Sequence, residues 1–346
     1  MKDGFCGRHK SGILTTEENK KYRLTTFACW SVCIAFALIE VWSGRHFTEP
    51  DGISYLDMSD ALLQQNWHLL INPYWSPLYP FFIGIVTWLV RPSAYWELPM
   101  VHVLNFAIFL GAMAAFEFLM RQVICVLRPE NRREDKASAV PFPVWGWQIL
   151  GYSLFAWSTF SLLNSGIRRV TPDLCVTAFV YLDAGLLLQL TAATKTMRTC
   201  LLLGLTLGVG YYAKAALFPM AFVFMAIAFF VFDGRRKAVR YSIVILLVFG
   251  AITTPLAIAT SQAVGHFTFG ESGSNNYARL VGEEQTFPFY TSTPPSYLTH
   301  PLNLIHHDPD VFEFGHPFEV TYPLWFDVSY WDAGFKTPFN LSNSFV

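Results

Sequence analysis

The sequence predicts an all-α polytopic membrane protein, a set of helices that crosses the bilayer several times. Three observations predict this class. Of the 346 residues, 53% are hydrophobic and only 14% are charged, whereas soluble domains carry about 25% charged residues. The apolar residues form blocks of about 20 residues, the length that crosses about 30 Å of hydrocarbon. The Lys and Arg residues cluster in a few segments between these blocks, as in multi-pass membrane proteins.

The composition also excludes several classes of protein. So high an apolar content excludes a disordered chain. The net charge of −1 provides no basic surface for nucleic acid, so no nucleic-acid partner is expected. A soluble α/β enzyme could not cover its surface with so few charged residues, and we therefore expect a lipid bilayer to cover most of it.

Each apolar block is predicted to be a helix, because backbone groups in lipid must bond to one another. A shorter block, Pro77–Val90, has 14 residues and begins with prolines at positions 77 and 80, which favours a re-entrant or interfacial helix. The longer blocks are Leu24–Trp42, Leu98–Met120, Val144–Leu163, Asp173–Ala193, Leu201–Ala213, Ala215–Phe232 and Tyr241–Gln262.

The positive charges predict the orientation of the chain. Seventeen of the 24 Lys and Arg residues lie before residue 24 or within 121–136, 195–198 and 235–240, which predicts that these segments are cytoplasmic. Residues 1–23 are then a cytoplasmic tail, since the first apolar block is too long for the core of a signal peptide.

The poorly charged loops 43–76, 164–172 and 263–346 are predicted to face the other side. Loops 43–76 and 121–143 then lie on opposite sides, which requires an odd number of crossings between them. We therefore predict that Pro77–Val90 does not cross the bilayer. The alternative is a full span, with one basic loop on the unexpected side.

The loop that follows the first helix carries the strongest functional pattern. It holds four acids, Glu49, Asp51, Asp57 and Asp60, and the apolar spacing in Ile53–Gln64 predicts an amphipathic helix lying on the membrane. A carboxylate at this position could act as a general base or hold a metal ion. The alternative is a solvated loop without a chemical role.

The order of features in this region resembles the GT-C glycosyltransferases, and most closely the protein O-mannosyltransferase and lipid A aminoarabinose transferase branch. The match consists of a first helix, then Asp51, then Tyr55 four residues later, and Pro77-Leu78-Tyr79 at the start of the next block. The family usually has an Asp-Glu pair at the first position, whereas this chain has Asp51-Gly52.

Two further segments extend the resemblance over roughly residues 24–262. Arg168 and Arg169 precede Pro172-Asp173, similar to the Arg and Pro-Asp that the family places before a helix on its catalytic side. The glycine-rich run from Gly204 to Lys214 resembles the helix that the family ends with a lysine.

The resemblance implies transfer of a sugar from a polyprenyl-phosphate donor to an extracytoplasmic acceptor with inversion. It implies Asp51 as catalytic base, supported by Tyr55, and Arg168, Arg169 and Lys214 as ligands of the donor phosphate. A divalent cation, Mg²⁺ or Mn²⁺, could help to stabilise the negative charge of the leaving phosphate. It also favours a bacterial inner membrane with the N-terminus in the cytoplasm.

Several of these residues also have a purely structural interpretation. The arginine pair could anchor the chain at the interface, and Asp173 could cap its helix or orient an arginine. Lys214 lies within an apolar run, where a charge tends to be functional. Among the acids inside the blocks, Glu40 and Glu117 fit interfacial positions, whereas Asp183 could serve an interhelical hydrogen bond or a relay.

The C-terminal segment 263–346 is predicted to be an extracytoplasmic loop or small domain, because it holds 18 aromatic residues from Gly265 onward and few aliphatic ones. Aromatic and polar side chains together suit sugar binding, although a rigid loop packed on the helices explains them equally. The chain stops inside this segment, which indicates a truncated or minimal copy of the family.

Two other functions remain open at this point. One is a transporter or flippase-like protein that binds a lipid-linked substrate without catalysis, and the other is a non-catalytic membrane scaffold. A transporter requires polar residues that continue from one side of the membrane to the other.

Overall fold

The computed structural model of the chain describes residues 16–127, 143–161, 166–191, 196–232, 234–273, 302–306 and 311–314. Helices account for most of these residues, in agreement with the predicted all-α class. The helices are α1 Thr16–Ser43, α2 Pro50–Leu63, α3 Trp67–Leu70, α4 Leu78–Val90, α5 Ala94–Leu127, α6 Val144–Phe160, α7 Asp173–Thr191, α8 Thr196–Ala213, α9 Leu217–Val231 and α10 Arg235–Val264. Strands β1 Leu302–His306 and β2 Val311–Phe314 pair antiparallel, with a register shift between Leu304 and His306.

Four helices are long and apolar enough to cross a membrane, as the predicted class requires. They are α1, α5, α7 and α10, with spans over Glu17–Ser43, Ala94–Val126, Asp173–Thr191 and Arg235–Val264. At 1.5 Å per residue, even the 19-residue α7 is about 28 Å long. Helices α4 and α9 are apolar but shorter.

The chain forms two compact units that alternate along the sequence. The first comprises Met1–Thr48, Arg91–Tyr211 and Leu217–Thr253, and the second comprises Glu49–Val90, Tyr212–Ala216 and Thr254–Val346. The predicted boundary at residue 262 stays a prediction, because most of the segment 263–346 lies outside the described residues.

The first unit has two apolar cores. One joins α1, α5 and α6 through Cys33, Ala37, Phe109, Met113 and Phe155, each at most 3% exposed. The other joins α7 to α10 and includes Leu187, Leu203, Ala221, Ile245 and Phe249.

Glycine lets α8 and α10 approach closely within the second of these cores. A Cβ on Gly204 would lie 2.8 Å from the backbone oxygen of Ile245, and one on Gly208 would lie 2.8 Å from Cβ of Ile252. This four-residue spacing of small residues is a common way for membrane helices to pack closely. The glycine-rich run that resembles a family motif therefore has a structural role in this chain.

Contacts at the two ends of α1 define two ends of the first unit. The Tyr22 hydroxyl bonds to Glu117 near the end of α5, so the start of α1 and the end of α5 lie together. At the other end, the rings of His46 and Tyr95 are 4.8 Å apart. The chain therefore leaves the first unit after α1 and returns at the start of α5 on the same end.

This return constrains the short helix α4. The segment between His46 and Tyr95 must make an even number of crossings, and α4 has only 13 residues, or about 20 Å. A single crossing by α4 would place His46 and Tyr95 on opposite sides of the bilayer. That Pro77–Val90 does not cross stays a prediction.

In the second unit, α2 packs on α4. A Cβ on Gly84 of α4 would lie 2.9 Å from the Leu62 side chain of α2. The predicted helix over Ile53–Gln64 is therefore present, but α2 buries Tyr55 and Met58 within the protein. The predicted placement of its apolar stripe, which includes Ile53 and Leu56, on the membrane surface stays a prediction; both side chains are only half-buried.

Candidate functional site

The loop that carries the predicted arginines is fixed to α5 by two buried polar side chains. Asn105, 1% exposed, donates from Nδ2 to the carbonyl oxygens of Ile167 (3.1 Å) and Arg169 (2.8 Å). His102, fully buried, lies with Nδ1 3.2 Å from the Ile167 oxygen and Nε2 2.9 Å from the Phe47 oxygen. These contacts hold residues 166–170, hereafter the arginine loop, against the end of α1.

The contacts of His102 depend on its protonation. A neutral imidazole has one N–H and can donate to only one of the two carbonyl oxygens, whereas an imidazolium donates to both. Asn105 holds the arginine loop through two hydrogen bonds in either case.

Arg168 lies over the end of α1. Its Nε atom is 3.5 Å from Oε2 of Glu40, and its guanidinium carbon is 5.6 Å from the centre of the Phe47 ring. A Cβ on Gly44 would lie 2.9 Å from Cγ of Arg168, so glycine is required for this approach. The side chain is 42% exposed, so the guanidinium is oriented by the protein and still reaches solvent or lipid headgroups.

Arg169 and Asp173 flank the start of α7. Asp173 is the first residue of this helix and accepts a hydrogen bond from the Thr171 hydroxyl at 3.2 Å. A carboxylate here interacts favourably with the partial positive charge of the helix N-terminus. Both roles predicted for Asp173, at the helix start and toward an arginine, stay predictions.

Asp51 and Tyr55 lie on α2 in the second unit. Asp51 is exposed in the first turn of α2, after Pro50. Tyr55 is 3% exposed and makes edge contacts with the rings of Trp75 at 5.1 Å and Tyr79 at 5.5 Å. The ring of Tyr55 therefore has a packing role that holds α2 in place.

Asp60, on the same helix, is a second acid with an altered environment. Its side chain is exposed, yet the protein around the carboxyl removes part of its hydration and raises its pKa above the ordinary value. A raised pKa is one property of a general base, so Asp60 is a rival to Asp51.

Lys214 follows the last residue of α8 directly, in the break between α8 and α9, and its side chain is exposed. The expectation that this charge is functional because it lies within an apolar run stays a prediction. Its place at the end of the glycine-rich helix does match the pattern predicted from the sequence.

The predicted residues thus fall into two groups. Arg168, Arg169 and Asp173 belong to the first unit, whereas Asp51, Tyr55 and Lys214 belong to the second. Within the described part of the chain, no group of three or more His, Cys, Asp or Glu side chains could hold a metal ion. The histidines His300, His307 and His316 of the C-terminal segment lie outside the described residues.

A buried polar cluster around Glu117 was not predicted from the sequence, which placed this acid at the interface. Glu117 is 7% exposed. Its Oε1 atom accepts from the Tyr22 hydroxyl (2.7 Å) and from Nε of Arg121 (2.8 Å), and its Oε2 atom accepts from the Tyr152 hydroxyl (2.7 Å). Tyr152 in turn accepts from Nε1 of Trp30 at 2.7 Å.

The acid in the middle of α7 also has a partner. Asp183, 3% exposed, accepts a hydrogen bond from the Thr206 hydroxyl of α8. Of the two roles predicted for it, the geometry supports the interhelical hydrogen bond.

An apolar layer separates the polar residues at the two ends of the α1–α5–α6 core. Between the Glu40 end and the Glu117 end, the helices meet through buried Ala37, Phe109 and Met113. Among the described residues of these three helices, no charged side chain lies between Glu40 and Glu117.

No protein-family model, curated protein or solved structure matches this chain.

Proposed function

We propose that the protein is a membrane glycosyltransferase of the GT-C type, which moves a sugar from a polyprenyl-phosphate donor to an extracytoplasmic acceptor with inversion. In this proposal the arginine loop faces the outside, and the N-terminus lies in the cytoplasm of a bacterial inner membrane. The observation that supports it most is the fixation of the arginine loop by buried His102 and Asn105.

Fixed cations suit this chemistry. The leaving polyprenyl phosphate gains negative charge as its bond to the sugar breaks, and donors already oriented toward that charge stabilise it at little reorganisation cost. Arg168 is oriented by Glu40, and an arginine can contact a phosphate through two N–H groups at once. Lys214 adds a point charge.

Asp51 is the proposed base. The acceptor hydroxyl attacks the anomeric carbon, its proton passes to the Asp51 carboxylate, and the carbon–oxygen bond to phosphate breaks with its electron pair leaving on the phosphate. Asp51 is proposed for this role by its match to the family position, and its carboxylate is exposed in the first turn of α2.

The test measures transfer of radiolabelled sugar to membrane acceptors from undecaprenyl-phosphate mannose, glucose and aminoarabinose. We expect one donor to be used by the wild type, and Asp51→Asn to slow transfer at least about 100-fold through loss of the base. The matched control is Asp60→Asn, an acid on the same helix, which should retain the wild-type rate.

Three results would overturn the assignment. Transfer by Asp51→Asn at the wild-type rate removes Asp51 as the base, and a loss confined to Asp60→Asn assigns that role to Asp60. No transfer from any of the three donors by folded wild-type protein contradicts the proposed activity.

A further inference from the structure

A cavity of about 400 Å³ lies against the Glu117 cluster, at the end of the first unit away from the arginine loop. It is lined by residues of one face of α1, from Tyr22 to Ile34, and by Arg121 of α5. The proposed function uses none of these residues.

The two ends of this cavity differ in polarity. Arg23 and Arg121 line one end, and Phe27 and Ile34 line the wall that follows α1 into its apolar span. Arg23 and Ile34 are separated by eleven helical steps, or about 16 Å of helix. A ligand that fills it needs an anionic head and an apolar body of similar length.

The charged end is built by the buried cluster. Glu117 holds Nε of Arg121 at 2.8 Å and the Tyr22 hydroxyl at 2.7 Å, and Trp30 on the cavity wall is held by the Tyr152 hydroxyl. Glu117 itself is not part of the lining, so Arg23 and the Glu117-paired Arg121 form the charged end of the cavity surface.

The positions of Arg23 and Arg121 relative to the apolar blocks indicate that the anion is a lipid headgroup. Arg23 and Arg121 each lie next to the end of a predicted apolar block, Leu24–Trp42 and Leu98–Met120, which places both at the level of lipid headgroups. We propose that this cavity binds an anionic membrane phospholipid, with its phosphate at Arg23 and Arg121 and one acyl chain along Phe27 and Ile34.

The test uses the full-length protein in detergent and native mass spectrometry during titration with phosphatidylglycerol or phosphatidylcholine. We expect one phosphatidylglycerol to be retained in preference to phosphatidylcholine. Arg23→Gln should weaken retention about fivefold, the usual effect of one basic residue near an anionic lipid. Arg198→Gln, an exposed arginine outside the cavity lining, is the matched control and should bind as the wild type.

A second variant tests the apolar part without changing charge. Ser31, which also lines the cavity, is exposed, so Ser31→Trp should fill the space and abolish retention while the thermal unfolding temperature stays unchanged.

Several outcomes overturn the proposal. Equal retention of the two lipids contradicts an anionic site, and equal weakening by Arg23→Gln and Arg198→Gln indicates a diffuse charge effect. Displacement of the lipid by millimolar inorganic phosphate would identify a site for free phosphate. Retention that survives Ser31→Trp places the lipid elsewhere.

Discussion

At the residue scale, Glu117 illustrates what a sequence can and cannot reveal about a buried charge. The spacing of Glu117 and Arg121, four residues apart on one helix, is visible in the sequence. Its other partners, Tyr22 and Tyr152, are 95 and 35 residues away along the chain, and no periodicity connects them. A carboxylate that looks interfacial in the sequence is therefore the centre of a buried cluster.

The cluster makes a prediction about stability. Glu117→Gln should lower the free energy of unfolding by about 2 kcal/mol, because the change leaves Arg121 and two hydroxyls with a weaker acceptor in a buried place. The measurement is urea or thermal unfolding of the purified protein in detergent. Glu17→Gln, which removes a similarly spaced but exposed pair with Lys21, should leave unfolding unchanged.

A double-mutant cycle separates the pair from the rest of the cluster. Once Glu117 is Gln, a further Arg121→Gln change should cost much less than Arg121→Gln alone, since the partner charge is already gone. Additive losses would show that Glu117 and Arg121 do not act together.

The predicted site residues show the same limit: the sequence reveals a candidate side chain but not the distant residues that position it. The sequence identified Arg168 as a candidate phosphate ligand, but it could not identify Glu40, Phe47 and Gly44 as the residues that orient it. His102 and Asn105 carried no signal either, because a lone polar residue in an apolar helix has many possible partners. Their function depends on carbonyl oxygens of a distant loop, which no side-chain pattern encodes.

At the element scale, the helices were predictable because lipid imposes their length. The blocks predicted at Leu98–Met120 and Tyr241–Gln262 lie inside α5 and α10, which extend further at their ends. Those extensions carry polar residues, such as Arg235 and Arg236 in the first turn of α10, so hydropathy alone places the ends too early. The surroundings of α2 were not predictable, because amphipathicity does not distinguish a membrane surface from a neighbouring helix.

The close packing of α8 and α10 predicts unequal effects of the same substitution. Gly204→Ala should destabilise the protein by about 1–3 kcal/mol, because the new methyl group would meet the backbone of α10 and force the helices apart. Gly250→Ala on α10 meets no atom within 4 Å and should be neutral or stabilise by up to about 1 kcal/mol through helix propensity.

The comparison uses apparent thermal unfolding temperatures of both variants in one detergent. A Gly204→Ala protein as stable as Gly250→Ala would mean that α8 and α10 are not in tight contact.

At the scale of the whole molecule, the contacts at the two ends of the first unit determine which loops share a side. The charge pattern predicted that residues 1–23 and 121–143 lie together, and the bond between Tyr22 and Glu117 is consistent with that pairing. Which side is cytoplasmic stays a prediction, because the fold is the same in either orientation.

Cysteine labelling tests this arrangement in a background without the six native cysteines. A membrane-impermeant maleimide is added to intact cells. We expect it to label His46→Cys and Tyr95→Cys, and to label Lys20→Cys only after the membrane is permeabilised. All three side chains are exposed. Labelling of His46→Cys and Tyr95→Cys from opposite sides would show that α4 crosses the bilayer after all.

The apolar layer of Ala37, Phe109 and Met113 also has an electrical consequence. The membrane voltage falls mainly across the hydrocarbon, and each charge moved through it exchanges about 2.3 kcal/mol per 100 mV. In the α1–α5–α6 core, Glu40 and Glu117 lie on either side of this layer, so a charge passing from one to the other would cross the apolar part of the core. We therefore expect the proposed sugar transfer, measured in energised and in de-energised membranes, to proceed at the same rate.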